Sequence, residues 1–136
     1  MAKRSKEDPQ FEIAFYEDIL RRSPNFIEAL MCLGDLYTRE GQYDKGLDVD
    51  ERLSRLRPDD ALVIYNLACS YSLVGRLSDA DQAMRRAFDL GYVDLAQISK
   101  DPDLEKLMNY APFREFFEAE RLKLKGRPRK GKERAV

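Results

Sequence analysis

The stretch Leu30-Met31-Cys32-Leu33-Gly34-Asp35-Leu36-Tyr37 returns 34 residues later as Ile64-Tyr65-Asn66-Leu67-Ala68-Cys69-Ser70-Tyr71. The match runs on through Gly41 and Gly75, Tyr43 and Leu77, Gly46 and Ala80, Val49 and Ala83, Leu53 and Ala87, and Leu56 and Leu90. A period of this length is the mark of stacked supersecondary units, each too small to bury its own apolar face and each covered by its neighbours. Inside a unit, Leu30, Leu33, Leu36 and Tyr37 recur at three and four residues, the spacing of one helical face. Gly41 and Gly75 follow at the point where a helix commonly ends in the left-handed conformation that glycine adopts at no steric cost. So short a turn sends the next helix back antiparallel to the first. Small residues at 34, 46, 68 and 80 fall where two helices must approach closely.

Upstream, Phe15 pairs with Val49, Ile19 with Leu53 and Pro24 with Pro58, so residues 9–22 read as a second helix without its first. Pro24 and Pro58 stop the preceding helix, and Asn25 or Asp59-Asp60 beside them is expected to cap the next by accepting free backbone N–H groups. Downstream the period fails, because a third step would place Asp101 and Pro102 where Leu67 and Ala68 stand. Residues 91–119 instead suggest short helices. Asp101-Pro102 and Ala111-Pro112 each open one, with proline in the first turn, and Leu104, Leu107, Phe113, Phe116 and Phe117 serve as apolar plugs over the open end of the core. The expected organisation is a disordered start over 1–8 and a helical domain over 9–120. That domain divides into a half repeat over 9–24, repeats over 25–58 and 59–92, and a cap over 93–120. A basic tail follows over 121–136, expected to be disordered beyond about 125.

At 136 residues the chain is the size of one domain and long enough to bury a core without staples. Charged residues make up 36% and hydrophobic ones 43%, which suits helices with one apolar and one solvated face. The longest apolar runs, such as 61–65, fall far short of the roughly 20 residues needed to span a bilayer. No hydrophobic stretch follows the basic start over residues 1–6, so the expected location is cytoplasmic. Histidine is absent, which removes the commonest general base and metal ligand together. Cys32 and Cys69 have no metal-type spacing and read as small buried thiols. The glycines sit at helix ends rather than in a nucleotide loop, and the acids Asp48, Asp50, Glu51, Asp101 and Asp103 read as caps and solvated faces. No catalytic residue, cofactor or metal is expected. The net charge of -1 conceals a body over 9–120 at -9 and a final stretch over 121–136 at +7.

The in-register marks Leu30-x2-Leu33-Gly34-x2-Tyr37 with Gly46 and Pro58, then Ile64-x2-Leu67-Ala68-x2-Tyr71 with Ala80 and Ala87, resemble the tetratricopeptide repeat family. The stretch over 91–119 is similar to the closing segment of bacterial members. The resemblance implies an all-α fold: a short right-handed solenoid of antiparallel helix pairs, about two and a half repeats long, with C-terminal capping helices. It also implies a protein-binding adaptor or scaffold that grips a partner peptide or helix on the concave face lined by the first helix of each unit. Carried over in register, that face holds Glu28, Met31, Asp35, Thr38 and Arg39, then Leu62, Tyr65, Asn66, Cys69, Ser72 and Leu73. Members that clamp a peptide carboxylate use lysine and asparagine on the first of these helices and asparagine on the second. Here Met31 and Asp35 stand in those places and only Asn66 matches, so a basic or apolar segment is the expected ligand. The chain departs from the pattern where the family has an aromatic in the second helix: Asp50 and Met84 stand there, and Asp50 is expected to loosen local packing.

Two features lie outside the repeat. Lys125-Gly126-Arg127-Pro128-Arg129-Lys130 resembles an AT-hook, in which glycine lets the backbone approach the floor of an A·T-rich minor groove, proline keeps it extended and cations enter the groove. Lys125 stands where arginine is usual, which weakens contacts to base edges more than it weakens charge attraction. A tail of this kind would make the chain a DNA-tethered adaptor. At the other end Phe11, Phe15, Tyr16 and Ile19 lie on the half repeat, whose outer face has no predicted neighbour, and this suggests weak homodimerisation there.

Overall fold

A computed structural model describes residues 8–92 and 94–126. Five helices of 13 or 14 residues follow one another as α1 (Pro9–Arg22), α2 (Ile27–Arg39), α3 (Tyr43–Leu56), α4 (Ala61–Leu73) and α5 (Leu77–Asp89). A short α6 (Leu95–Lys100), a 3-10 turn (Pro102–Leu104), α7 (Glu105–Met108) and α8 (Ala111–Lys125) complete the described chain. Each of the first four packs on the next, α4 also meets the 3-10 turn and α7, and α5 meets α7. The described residues form an all-helical repeat solenoid without strands.

The helix ends follow from single residues. Gly41 and Gly75 have φ of 78° and 84°, and behind them Gln42 N–H donates to the Tyr37 carbonyl at 2.8 Å and Arg76 N–H to that of Tyr71 at 2.9 Å. These bonds satisfy carbonyls that a helix end leaves orphaned. Gly91, at φ 105°, closes α5 the same way through Tyr92 N–H and the Ala87 carbonyl. Asp60 caps α4 by accepting from the N–H groups of Leu62 and Val63 at 3.0 and 3.3 Å. Asn25 does not cap α2: Phe26 occupies that place without a side-chain bond, and Asn25 Oδ1 instead accepts from the Arg52 guanidinium at 3.3 Å. The corresponding contact one period on joins Arg86 to Asp59 at 2.9 Å. Tyr37 likewise donates to Glu17, and Tyr71 to Glu51 at 3.0 Å. The repeat therefore recurs in its polar contacts as well as in its apolar face.

Small residues set the helix spacing. A Cβ on Gly46 would come within 2.8 Å of Thr38 Oγ1, and one on Gly34 within 3.2 Å of Val49 Cγ1, so α2 and α3 approach too closely for larger side chains. Ala68 and Ala80, fully buried, hold the same register in the next pair. The core falls into two clusters. One joins α1, α2 and α3 around Leu30, Leu33 and Leu53 and reaches Val63 at the start of α4; the other runs from Ile64 through Met84 to the cap. In the cap, Ile98, Leu104, Leu107 and Phe113 are all inaccessible to solvent, and Leu107 N–H donates to Ser72 Oγ at 3.2 Å.

Cys32 departs from the sequence expectation. It is exposed on α2, at the edge of the contact with α1, where Tyr16 lies beside it. Cys69 is buried, as expected.

Candidate functional site

Between α2 and α4 the helices diverge enough to leave a cavity of about 290 Å³, closed at one side by the segment running from α6 into the 3-10 turn. Met31, Gly34, Asp35 and Thr38 line it from α2; Asp50 and Leu53 from α3; Tyr65, Asn66, Cys69 and Ser70 from α4; and Gln97, Asp101 and Asp103 from the closing segment.

The floor is Asp50. Only 7% of this residue is exposed, and Ser70 Oγ donates to its Oδ2 at 2.5 Å, tying α3 to α4. Contrary to the expectation that Asp50 loosens this packing, it bridges the two helices, because Ser70 supplies a hydroxyl where an aliphatic side chain would have left it unpaired. Burial pushes the carboxyl up to about 6. The Ser70 bond opposes that rise and nearby Asp35 adds to it.

The closing side is Asp101. Its Oδ1 accepts from Asp103 N–H at 3.0 Å, which starts the 3-10 turn, while its Oδ2 accepts from the Tyr65 hydroxyl at 2.6 Å. One aspartate thus caps a turn and fastens that turn to α4. Tyr65 is held flat by Tyr92, with ring centroids 4.3 Å apart and planes 14° from parallel. Desolvation, followed by the charges of Asp101 and Asp35, raises Asp103 above the usual carboxylate range. Burial and the neighbouring Asp101 push the Cys69 thiol up, so it stays protonated and is a poor nucleophile despite facing the cavity.

Of the residues expected on the concave face, the cavity gathers Met31, Asp35, Thr38, Tyr65, Asn66 and Cys69. Glu28, Arg39 and Leu62 are exposed outside it, Arg39 holding Asp35 in a surface ion pair at 3.0 Å. Ser72 is not on this face at all: it is fully buried beneath the cap, where its hydroxyl receives Leu107 N–H. Leu73 offers its carbonyl to Lys106 Nζ at 3.5 Å. Gln97, Asp101 and Asp103 join the site without a signal in the repeat, since they lie beyond its last unit and the period says nothing of them. At the C-terminus Lys125 and Gly126 are exposed, and Gly126 keeps right-handed helical backbone (φ -82°, ψ -4°) as the cap of α8 rather than extending. Arg127, Pro128, Arg129 and Lys130 lie outside the described residues.

Among the described residues no group of histidine, cysteine, aspartate or glutamate side chains is arranged to hold a metal ion, and no helix is long and apolar enough to cross a membrane. The arrangement can accept hydrogen bonds and hold positive charge.

No family model matches the chain. Over 80 residues, 57% of its length, it is 34% identical to a chloroplastic protein of Arabidopsis thaliana, of which it spans only about a quarter, 24%. A crystal structure of MamA superposes with a TM-score of 0.72 at 23% identity, covering 88% of this chain and 68% of MamA. A MamA fragment from Desulfovibrio magneticus RS-1 gives 0.61 at 22% identity, covering 83% and 68%. These likenesses establish the tetratricopeptide-like solenoid fold.

Proposed function

From a tetratricopeptide-like solenoid with an acid-lined concave cleft, we propose that the protein is an interaction module, an adaptor that takes a basic segment of a partner protein between α2 and α4. The observation that carries this reading is the charge of the cleft: Asp35, Asp50, Asp101 and Asp103 line it, and among the described residues no lysine or arginine does. Complementary charge steers encounter and rejects wrong partners, so an acidic peptide or a free carboxylate is excluded by the same groups that attract a cation. The chemistry offered is recognition, and no bond-making step is assigned to it.

A displayed library of random twelve-residue peptides, panned against the full chain and followed by ¹⁵N chemical-shift mapping, tests the reading. Enriched peptides should be basic and should shift amides of α2, α4 and the 3-10 turn. Acidic binders, or binders that map to the outer faces of α3 and α5, would overturn it.

A second reading concerns the tail. The +7 stretch over 121–136 contains Gly126-Arg127-Pro128, and the reading of the chain as a DNA-tethered adaptor rests on that motif. Binding to an A·T-rich duplex should then weaken steeply with salt and vanish when residues 125–134 are deleted. Equal gel shifts by the shortened chain would remove this reading.

A further inference from the structure

The hydrogen bonding of Asp50 is half complete. Its Oδ2 is taken by Ser70, while Oδ1 lies over Gly34, where an added Cβ would stand 3.2 Å away, and no donor among the described residues reaches it. An ionised carboxylate offers about four acceptor positions. One more than nine-tenths buried with a single bond is costly unless something else completes it. That oxygen is not sealed in, because no buried side-chain oxygen or nitrogen among the described residues lacks a partner, so it is reached through the cavity it lines.

Nothing in the described chain supplies the missing positive charge. From α2 the cleft receives Asp35, whose ion-pair partner Arg39 stays outside among exposed residues. From α4 it receives Tyr65, Asn66, Cys69 and Ser70, and from the closing segment Gln97, Asp101 and Asp103. Every element packed around Asp50 thus presents an acid or a neutral group. The Asp101 oxygens are already engaged, and Arg39 takes Asp35 Oδ2, which leaves Asp103 and Asp35 Oδ1 as further acceptors toward the mouth. At about 290 Å³ the cavity lies at the lower end of small-molecule sites, room for one long side chain and too little for a helix.

We infer that the cleft is a receptor for a single arginine side chain of a partner segment, its guanidinium donating to Asp50 Oδ1 at the floor and to Asp103 and Asp35 nearer the mouth. This rests on the adaptor reading above and names the feature by which the partner is recognised. Arginine fits better than lysine because its acceptors lie on several elements: a planar guanidinium carries five donors and is more weakly hydrated than an ammonium group. Since burial pushes Asp50 up to about 6, the floor loses its charge as pH falls, and the receptor closes to cations below that point.

The test is an NMR titration of the ¹⁵N-labelled full chain at pH 7.5 with acetyl-Gly-Ala-Arg-Ala-Gly-amide and with its citrulline counterpart, a neutral isostere. The arginine peptide should produce saturable shifts at Gly34, Asp35, Ser70 and residues 101–103, with affinity at least tenfold above that of the citrulline peptide. It should lose at least tenfold on Asp50→Asn, several-fold on Asp103→Asn, and several-fold in the wild type on going to pH 5. Asp50→Asn keeps an acceptor for Ser70, and Asp103→Asn leaves the buried contact untouched, so at least one variant remains folded. Equal binding of the citrulline peptide, a lysine peptide that binds as tightly, or unchanged affinity in both variants would overturn the inference. A library-selected peptide that still seats on the concave face of Asp50→Asn with undiminished affinity would overturn the arginine receptor and leave the adaptor standing. Failure to select any concave-face binder would remove both.

Discussion

Asp50 carries a thermodynamic sign opposite to that of most carboxylates in folded proteins. Its folded pKa, about 6, lies above the ordinary value of 3.8, so between those two pH values the native chain binds more protons than the unfolded one. Stability from this residue therefore falls as pH rises from about 4 to about 6, by roughly 2–3 kcal/mol at 1.36 kcal/mol per unit. Asp50→Asn should remove that dependence, giving a variant more stable than the wild type at pH 7.5 and little different at pH 4, as read by urea melts at the two pH values. Equal stability at pH 7.5 would show that the carboxyl is not held at a cost. Gly46 gives a test of packing. Alanine there would gain about 1 kcal/mol of helix propensity but must push aside Thr38 Oγ1 at 2.8 Å, and overpacking of this kind costs about 1–3 kcal/mol. Gly46→Ala should lower stability by about 1 kcal/mol, measured as a shift in urea midpoint. Both residues show how far sequence reaches at this scale. Gly46 is legible because its role recurs in register at Ala80. Asp50 is visible as a departure from the family pattern, but its consequence depends on Ser70, a partner 20 residues away that no local pattern connects to it.

Among the elements, the repeat helices are readable because each boundary has a local cause. Gly41 and Gly75 sit at φ of 78° and 84° with open space around them, so the only penalty on substitution is the backbone itself. Gly41→Ala and Gly75→Ala should each cost about 1 kcal/mol in urea denaturation, and a much larger loss would mean an unrecognised contact. The closing segment is legible in part. Its prolines, its Asp101 cap and its plugs Leu104, Leu107 and Phe113 can be read from the chain. That Asp101 also accepts from Tyr65 cannot, since it follows from how the 3-10 turn lies on α4. For the same reason the repeat register reaches the α2 and α4 walls of the cavity but not the wall made by Gln97, Asp101 and Asp103. Ser72 is misplaced by a register that holds only until the cap covers the end of α4. Phe113, fully buried, anchors the closing elements; Phe113→Ala should cost about 3–5 kcal/mol by calorimetry or urea melt.

For the whole molecule, the open flank of α1 is the feature that neighbouring repeats do not cover. Phe11 and Phe15 are 48% and 52% exposed, one helical turn apart. If this flank pairs two copies, light scattering at millimolar concentration should show mass above the monomer, and Phe15→Asp should abolish the excess. A monomeric wild type would rule the pairing out. The two core clusters have a separate consequence, for cooperativity. They are divided near Val63 and Ile64, adjacent residues on α4 that belong to different clusters, so one helix mechanically couples the two halves of the protein. At that seam lies the buried Asp50 carboxyl, whose ionisation as pH rises carries a desolvation cost that the bond from Ser70 offsets only in part. Amides of α1–α3 and those of α5–α8 should therefore exchange with deuterium as a single unit near pH 5 and separate into two rates near pH 8, the solenoid behaving as one foldon or as two according to the ionisation of one carboxyl.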